Sequence, residues 1–202
     1  IMSTSSLPGE GKTTQSISLA HNLSGLNKKV LLIEGDVRRR TLNEYFRHDT
    51  DRADGIVSAL GKQASIESFS EFVVRDPRID VDMILGEKTR ANAADVFSSN
   101  NFAQFLDMLR ENYDHIVIDT PPVLVVPDAR IIGQHVDAIL FNVAWDRTSR
   151  AQVKEALRQF STVNLAVDGL VLSQISPSGM KRYGYGGKYG SYAAYDSAYY
   201  DN

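Results

Sequence analysis

The residues best equipped for chemistry stand near the start of the chain, in Ser5-Ser6-Leu7-Pro8-Gly9-Glu10-Gly11-Lys12-Thr13-Thr14. Gly9 and Gly11 let backbone N–H groups approach phosphate oxygens without a Cβ in the way. A helix opening at Lys12 adds its free N–H groups and its dipole at the same spot. Lys12 supplies a mobile cation for the β- and γ-phosphates, and Thr13 offers a hydroxyl to Mg²⁺. The pattern G-x-x-x-x-G-K-[ST] is met except at its first position, which is Ser6. Pro8, Gly9, Glu10, Gly11, Lys12, Thr13 and Thr14 are therefore the expected ATP-binding segment. A plain turn before a helix is the competing reading, and a position between a strand and a helix favours the phosphate loop.

Two further loops carry acids. Glu34 and Asp36 lie two residues apart where the apolar run Val30-Leu31-Leu32-Ile33 ends. In an extended chain such residues share a face. Beside Mg·ATP they would hold the metal or its waters, or take a proton from a hydroxyl nucleophile; a polar turn with a helix cap is the alternative. Asp119 closes Ile116-Val117-Ile118 and precedes Thr120-Pro121-Pro122. An Asp at the end of an apolar strand is the usual Walker B arrangement and binds Mg²⁺ directly or through water. It would otherwise cap the next helix. The candidate catalytic residues are thus Lys12, Glu34, Asp36 and Asp119, and the candidate metal ligands are Thr13, Glu34, Asp36 and Asp119. Arg38, Arg39 and Arg40 follow the second loop, and a solvated charge run is the preferred reading of Arg39 and Arg40. His21, His48, His115 and His135 lack metal-ligand spacing and read as structural. Trp145, ending an apolar strand, reads as core or rim.

These loops need a scaffold, and hydrophobic patterning supplies one. Strands are expected at Ile1 to Thr4, Val30 to Ile33, Ile116 to Ile118, Asp137 to Val143 and Gly169 to Leu172, with a weaker one in Ile79 to Leu85. The continuous apolar runs at 30–33, 116–118, 137–143 and 169–172 imply burial on both faces, while Ile79 to Leu85 alternates partly. Ile17, Leu19, Ala20, Leu23 and Leu26 recur at helical spacing after Lys12, and further helices are expected near 55–61, 100–112, 127–135 and 149–162. Strands alternating with helices predict an α/β fold of three layers, α/β/α, around a mainly parallel sheet. Sites in such folds lie outside the carboxyl ends of the strands, where all three loops fall.

The 202 residues are 43% hydrophobic and 23% charged, with net charge −3 and no cysteine. A chain of this length buries roughly 70% of its unfolded surface without disulfides or a structural metal. Cysteine-based zinc sites, redox motifs and thiol nucleophiles are excluded. A near-neutral balance does not favour nucleic acid as a partner. No apolar run approaches the ~20 residues of a membrane-spanning helix. Because a phosphate loop normally follows a buried strand, the short lead before it suggests part of a longer protein. Two regions are expected: 1–177 as the phosphate-loop domain, and 178–202 as a flexible tail of Gly, Ser, Ala and Tyr that lacks the aliphatic side chains to offset its own ordering. Seven of the nine tyrosines lie there: Tyr183, Tyr185, Tyr189, Tyr192, Tyr195, Tyr199 and Tyr200. They read either as a sticky tail or as phosphoacceptors, and each phosphate would add about −1.5 to −2 charges.

Taken together and in order, these segments resemble the bacterial tyrosine kinases of capsule and exopolysaccharide synthesis. Ser5 to Thr14 resembles that family's Walker A, Leu32 to Arg38 its Walker A′, Asp114 to Pro122 its Walker B, and the tyrosine tail its phosphorylated cluster. The resemblance implies a fold related to the deviant-Walker ATPases of the MinD and ParA type. It implies ATP, Mg²⁺ and phosphoryl transfer to tyrosine between neighbouring subunits. It further implies a membrane chain-length regulator as activator, separate or fused upstream, a homo-oligomer that can close into a ring, a cognate tyrosine phosphatase, and a place at the cytoplasmic face of the inner membrane. Departures are Glu34 for a usual Asp, Arg40 for a usual Pro, and Ser173 for a usual Asn near the adenine. The E-x-x-R-x-x-R helix that typically precedes the first strand is not in the sequence, so an incomplete ring is expected. The alternatives are a deviant-Walker ATPase without a protein acceptor, disfavoured by Leu7 where a signature Lys would stand, and a nucleotide-dependent assembly module.

Overall fold

The structure, a computed structural model, describes residues 1–46, 54–61, 69–176 and 179–180. His48 and the seven tail tyrosines lie outside the described residues. The strands are β1 Met2–Ser5, β2 Val30–Glu34, β3 Val74–Asp76, β4 Val81–Ile84, β5 His115–Asp119, β6 Ile139–Ala144 and β7 Gly169–Ser173. Among the described residues the helices are α1 Lys12–Gly25, α2 Thr41–Tyr45, α3 Ile56–Gly61, α4 Ala93–Phe97, α5 Asn100–Arg110, α6 Asp128–Gly133 and α7 Arg150–Ser161, with a 3₁₀ turn at Ser70–Phe72.

One sheet of seven strands runs β3-β4-β2-β5-β1-β6-β7, parallel throughout except for the antiparallel edge pair β3 and β4. Alternation along β2 shows why its sequence is apolar at every position. Val30 and Leu32 pack with Ala20 of α1 and Leu42 of α2, while Leu31 and Ile33 pack with the helices of the opposite face. That opposite layer contributes Ile56, Phe97, Phe102, Ala129 and Phe160 from α3, α4, α5, α6 and α7. Phe141 of β6 meets Phe160 edge-on, with centroids 6.5 Å apart and planes at 89°. Each such buried ring contributes about 2–3 kcal/mol through lost water contact. This is the expected three-layer α/β/α architecture.

The long helices begin where the sequence provides caps. Ser149 accepts from Gln152 N–H, and the Gln152 side chain accepts from Ser149 N–H, closing a capping box at α7. Ser99 caps α5 in the same sense, accepting from Phe102 N–H. Helix α1 differs: its N-cap is Gly11, in the left-handed region, and no side chain caps it. Its first N–H groups are left for another acceptor. The described helices include none long and apolar enough to cross a membrane.

The central strand β1 pairs with β5 on one side and β6 on the other. The phosphate loop leaves its carboxyl end. The second loop leaves the end of β2 and the third the end of β5, and Glu34 is register-paired with Asp119. All three loops therefore emerge on one edge of the sheet.

Candidate active site

The Gly9-Glu10-Gly11 turn works because both glycines adopt φ near +80°: 78° at Gly9 and 86° at Gly11. A side chain at either position would be strained there. Contacts within the loop and from two distant segments, 147–148 and 173–174, brace this turn. Glu10 turns inward: its carboxylate accepts from Leu7 N–H at 2.9 Å and from the Thr148 hydroxyl. Ser173 Oγ donates to the Glu10 carbonyl at 2.6 Å. Gln174 Nε2 donates to the Gly9 carbonyl at 2.6 Å, and Gln174 Oε1 accepts from Arg147 at 2.8 Å. With the carbonyls tied back, the loop's N–H groups are left for an anion, as in a phosphate cradle.

Lys12 lies at the mouth of α1 and is almost fully buried. Its Nζ is 3.3 Å from Asp36 Oδ2 and 3.8 Å from Asp119 Oδ1. Thr13 donates to Asp119 Oδ2 at 2.7 Å, and Ser16, one turn further along α1, donates to Asp119 Oδ1 at 3.3 Å. Burial pushes the Asp119 carboxyl up to about 6, opposed by the Lys12 charge and the Thr13 hydroxyl. Of the candidates read from the sequence, the structure brings Lys12, Thr13, Asp36 and Asp119 together. Their donor set fits a hard cation beside a phosphate: a hydroxyl, two carboxylates and a neighbouring ammonium.

Glu34 does something else. The sequence reading expected it to hold metal or act as base. Fully buried, it instead accepts from Leu42 N–H at 2.6 Å, Asn43 Nδ2 at 2.6 Å and Gly86 N–H at 2.7 Å. Both oxygens are occupied by protein donors, which ties the end of β2 to the start of α2 and to the loop after β4. Its extra methylene relative to Asp gives it that reach. Burial pushes its pKa up to about 7 against the pull of the three N–H donors. Glu34 is therefore a clasp rather than a member of the cluster. Asp36 Oδ1 meanwhile accepts from Arg39 N–H at 3.1 Å, shaping the second loop from within. Gly35 is needed where it stands, since its N–H reaches the Asp119 carbonyl at 2.7 Å and a Cβ there would lie 3.0 Å from that oxygen.

Of the three arginines, Arg38 pairs with the fully buried Asp128 at 3.0 and 3.3 Å, pinning the second loop to the first turn of α6. Arg39 is exposed. It lines an open cleft with about 630 Å³ of empty space, together with Pro8, Lys12, Tyr45, Pro122 and Gln174. Arg40 adopts φ 54° at the N-terminus of α2. His135 packs edge-on against Phe102, and His21 contacts the Ile79 carbonyl, consistent with structural roles. Among the described residues no group of three or more His, Asp or Glu forms a separate metal site. A second hollow, lined by Ile1, Arg110, Tyr113 and His135, lies at the amino ends of the strands, away from the three loops.

Sequence reasoning did not single out Ser16, Thr148 or Gln174. Ser16 was within reach, being one turn after Thr13 on the same helix face. Nothing local marks Thr148 or Gln174, which act across 138 and 165 residues of sequence. Ser173, flagged only as a departure at an adenine position, turns out to brace the phosphate loop.

A parallel sheet with an uncapped, glycine-opened helix and a Lys-Thr-Asp cluster at its mouth defines a P-loop nucleotide-binding protein. The family described as "AAA domain" matches residues 5–169. Tyrosine-protein kinase CpsD of Streptococcus pneumoniae is 30% identical over 190 residues, covering 94% of this chain and 81% of CpsD. Tyrosine-protein kinase ptk of Acinetobacter johnsonii is 35% identical over 172 residues, 85% of this chain and 23% of its own length. The chain spans about a quarter of the length of the first curated relatives it matches. The VpsO kinase domain superposes with a TM-score of 0.78 at 32% identity, covering 87% of this chain and 84% of that one. A ParA family ATPase from Chlorobium tepidum shares the fold, with a TM-score of 0.70 at 13% identity over 90% of this chain and 78% of its own. The chain belongs to the AAA-domain family and, within it, to the bacterial tyrosine kinases.

Proposed function

We propose that the chain is an ATP- and Mg²⁺-dependent tyrosine autokinase that phosphorylates its own tail tyrosines, Tyr183, Tyr185, Tyr189, Tyr192, Tyr195, Tyr199 and Tyr200, between neighbouring subunits. The observation that carries the reading is the cluster of Lys12, Thr13, Asp36 and Asp119 at the open N-terminus of α1. In this reading residues 1–177 form the catalytic domain and 178–202 the acceptor tail.

The loop N–H groups of residues 9 to 14 bind the β- and γ-phosphates, and Lys12 exchanges its two carboxylate partners for phosphate oxygens. Thr13 and Asp119, with Asp36 adjacent, would hold Mg²⁺, which when bound would draw negative charge away from the transferring phosphoryl group. Asp36 lines the cleft while Glu34 does not, which supports Asp36 as the acceptor of the phenolic proton. Positioning and charge neutralisation carry most of the work in such transfers.

The wider setting follows from the same reading: a homo-oligomer, a membrane chain-length regulator as activator, a cognate tyrosine phosphatase as the opposing enzyme, and control of exopolysaccharide or capsule polymerisation and export at the cytoplasmic face of the inner membrane. Incubation with Mg·ATP and the activator, followed by phosphosite mapping, tests the core of it. Phosphotyrosine within 183–200 that disappears in Lys12→Met is expected. Steady ADP release without phosphotyrosine would instead make this an ATPase of the ParA kind.

A further inference from the structure

The catalytic edge of the sheet carries a contact that the phosphate site does not use. Trp145, the residue after β6, is the chain's single tryptophan. Its backbone N–H donates to the Ser173 carbonyl at 2.9 Å, and Ser173 Oγ in turn donates to the Glu10 carbonyl at 2.6 Å. The tryptophan is thus fastened to the strand end that braces the phosphate loop. Gly179 lies against its indole: a Cβ built there would overlap Cη2 and come within 2.7 Å of Cζ3. Real Cβ atoms do not approach so closely, so only glycine seats on this ring without displacement. Ser176 secures the same turn, its Oγ accepting from Gly179 N–H at 3.2 Å and its carbonyl from Met180 N–H at 2.9 Å.

We infer that Trp145 is a positioning residue for the acceptor tail, seating Gly179 and fixing the root of the tyrosine-bearing segment on the catalytic edge. The contact stands by itself; its consequence for phosphorylation rests on the kinase reading above. Four residues lead from Gly179 to Tyr183 (183 − 179) and six to Tyr185 (185 − 179), against twenty to Tyr199 (199 − 179). At about 3.5 Å per residue, a fully extended chain from the anchor spans at most about 14 Å to Tyr183 and about 21 Å to Tyr185, against about 70 Å to Tyr199. Without the seat, the lead runs from Ser176. It becomes seven residues to Tyr183 (183 − 176) but only twenty-three to Tyr199 (199 − 176). The anchor therefore governs the near tyrosines and hardly touches the far ones. It keeps Tyr183 and Tyr185 close to their own subunit and leaves the far tyrosines as the principal acceptors for a neighbour.

Three measurements on the full chain test this. Because Trp145 is the sole tryptophan, its emission reports the seat directly. Gly179→Val should shift emission to the red and increase quenching by acrylamide. Phosphosite mapping with Mg·ATP and the activator should show the share of phosphate at Tyr183 and Tyr185, relative to Tyr199 and Tyr200, rising about threefold in Gly179→Val and Trp145→Ala, as expected when a tether's effective concentration is reset. Trp145→Phe, which keeps an aromatic face, should stay near the wild-type ratio. Phosphorylation of a separate poly(Glu,Tyr) acceptor should be unchanged in Gly179→Val, separating tail placement from damage to the site. Unchanged emission in Gly179→Val, or an identical near-to-far ratio in all four proteins, overturns the inference. Absence of phosphotyrosine in the wild type removes the kinase reading instead, and emission alone then decides the seat.

Discussion

Replacing Lys12 by Met separates the two jobs that this side chain performs. Its ammonium is the counter-ion of two buried carboxylates, 3.3 Å from Asp36 and 3.8 Å from Asp119. Met keeps most of the apolar stem and removes the charge. Breaking a buried ion pair by deleting one partner costs about 3–5 kcal/mol. The cost depends on pH, and its sign follows from Asp119. Burial already raises that carboxyl from its ordinary value to about 6, and the Lys12 charge is the largest influence holding it down. A raised carboxyl pKa means that the folded state keeps a proton the unfolded chain has lost. Stability is then fully present below the unfolded pKa near 4 and lost as pH rises through the folded one. Without Lys12 the folded pKa moves higher still, so the loss is larger and extends further up the pH scale. Urea unfolding of the nucleotide-free protein should therefore place Lys12→Met about 3–5 kcal/mol below wild type at pH 8, with a smaller deficit at pH 5, where Asp119 carries its proton and the loss of the Asp36 pair is what is left. At pH 8 in excess Mg·ATP, tail phosphorylation in any protein that remains folded should fall at least about a hundredfold, the scale of removing one preorganised charge donor. A variant as stable as wild type at both pH values would refute Lys12 as the counter-ion. Full labelling would refute it as the phosphate ligand.

Glu34→Gln tests the clasp, because it sets an amide N–H against protein donors. It should cost about 1–3 kcal/mol in urea unfolding while leaving kcat within about tenfold at saturating nucleotide, whereas loss of a general base would cost a hundredfold or more. Because Mg²⁺ needs the ionised form of Asp119, the Mg·ATP-induced rise in Tm should grow between pH 5 and pH 7.5 and shrink in Asp119→Asn; a pH-independent shift in differential scanning fluorimetry would exclude that carboxylate. Arg38→Ala leaves the fully buried Asp128 without its partner and should lower stability by about 1–3 kcal/mol, read by chemical denaturation, with the deficit relieved in Arg38→Ala/Asp128→Asn.

How much of this was legible beforehand depends on the range of the interaction. The phosphate loop and the acids at the ends of β2 and β5 announce themselves because local spacing dictates what they do. Strands β2, β5 and β6 were readable because burial on both faces writes a largely apolar run, whereas β7 shows the same run although Leu170 and Leu172 are exposed, and β1, Met-Ser-Thr-Ser, was placed by the phosphate loop that follows it. Strand β3 was not, since Val74, Arg75 and Asp76 form a three-residue edge strand with one exposed side chain. The short helices α2 and α4, five residues each, carry too few turns to show periodicity. Glu34 was read from its place at a strand end, two residues from Asp36. Its true partners, at Leu42, Asn43 and Gly86, lie 8, 9 and 52 residues away and depend on tertiary placement of the β4 loop. The Thr148 and Gln174 braces were illegible for the same reason.

The braces on the phosphate loop also bear on how the molecule comes into being. During synthesis the glycines and the lysine of residues 9–12 emerge well before the rest of this domain. Yet β1 finds its hydrogen-bonding neighbours only after residues 115–119 and 139–144 have emerged, and the Gly9 and Glu10 carbonyls wait for residues 173 and 174. Such distant pairings close large loops and come late in folding. During synthesis the chain should therefore ignore nucleotide until nearly all of the sheet has left the ribosome, so that a truncated translation product is silent rather than partly active.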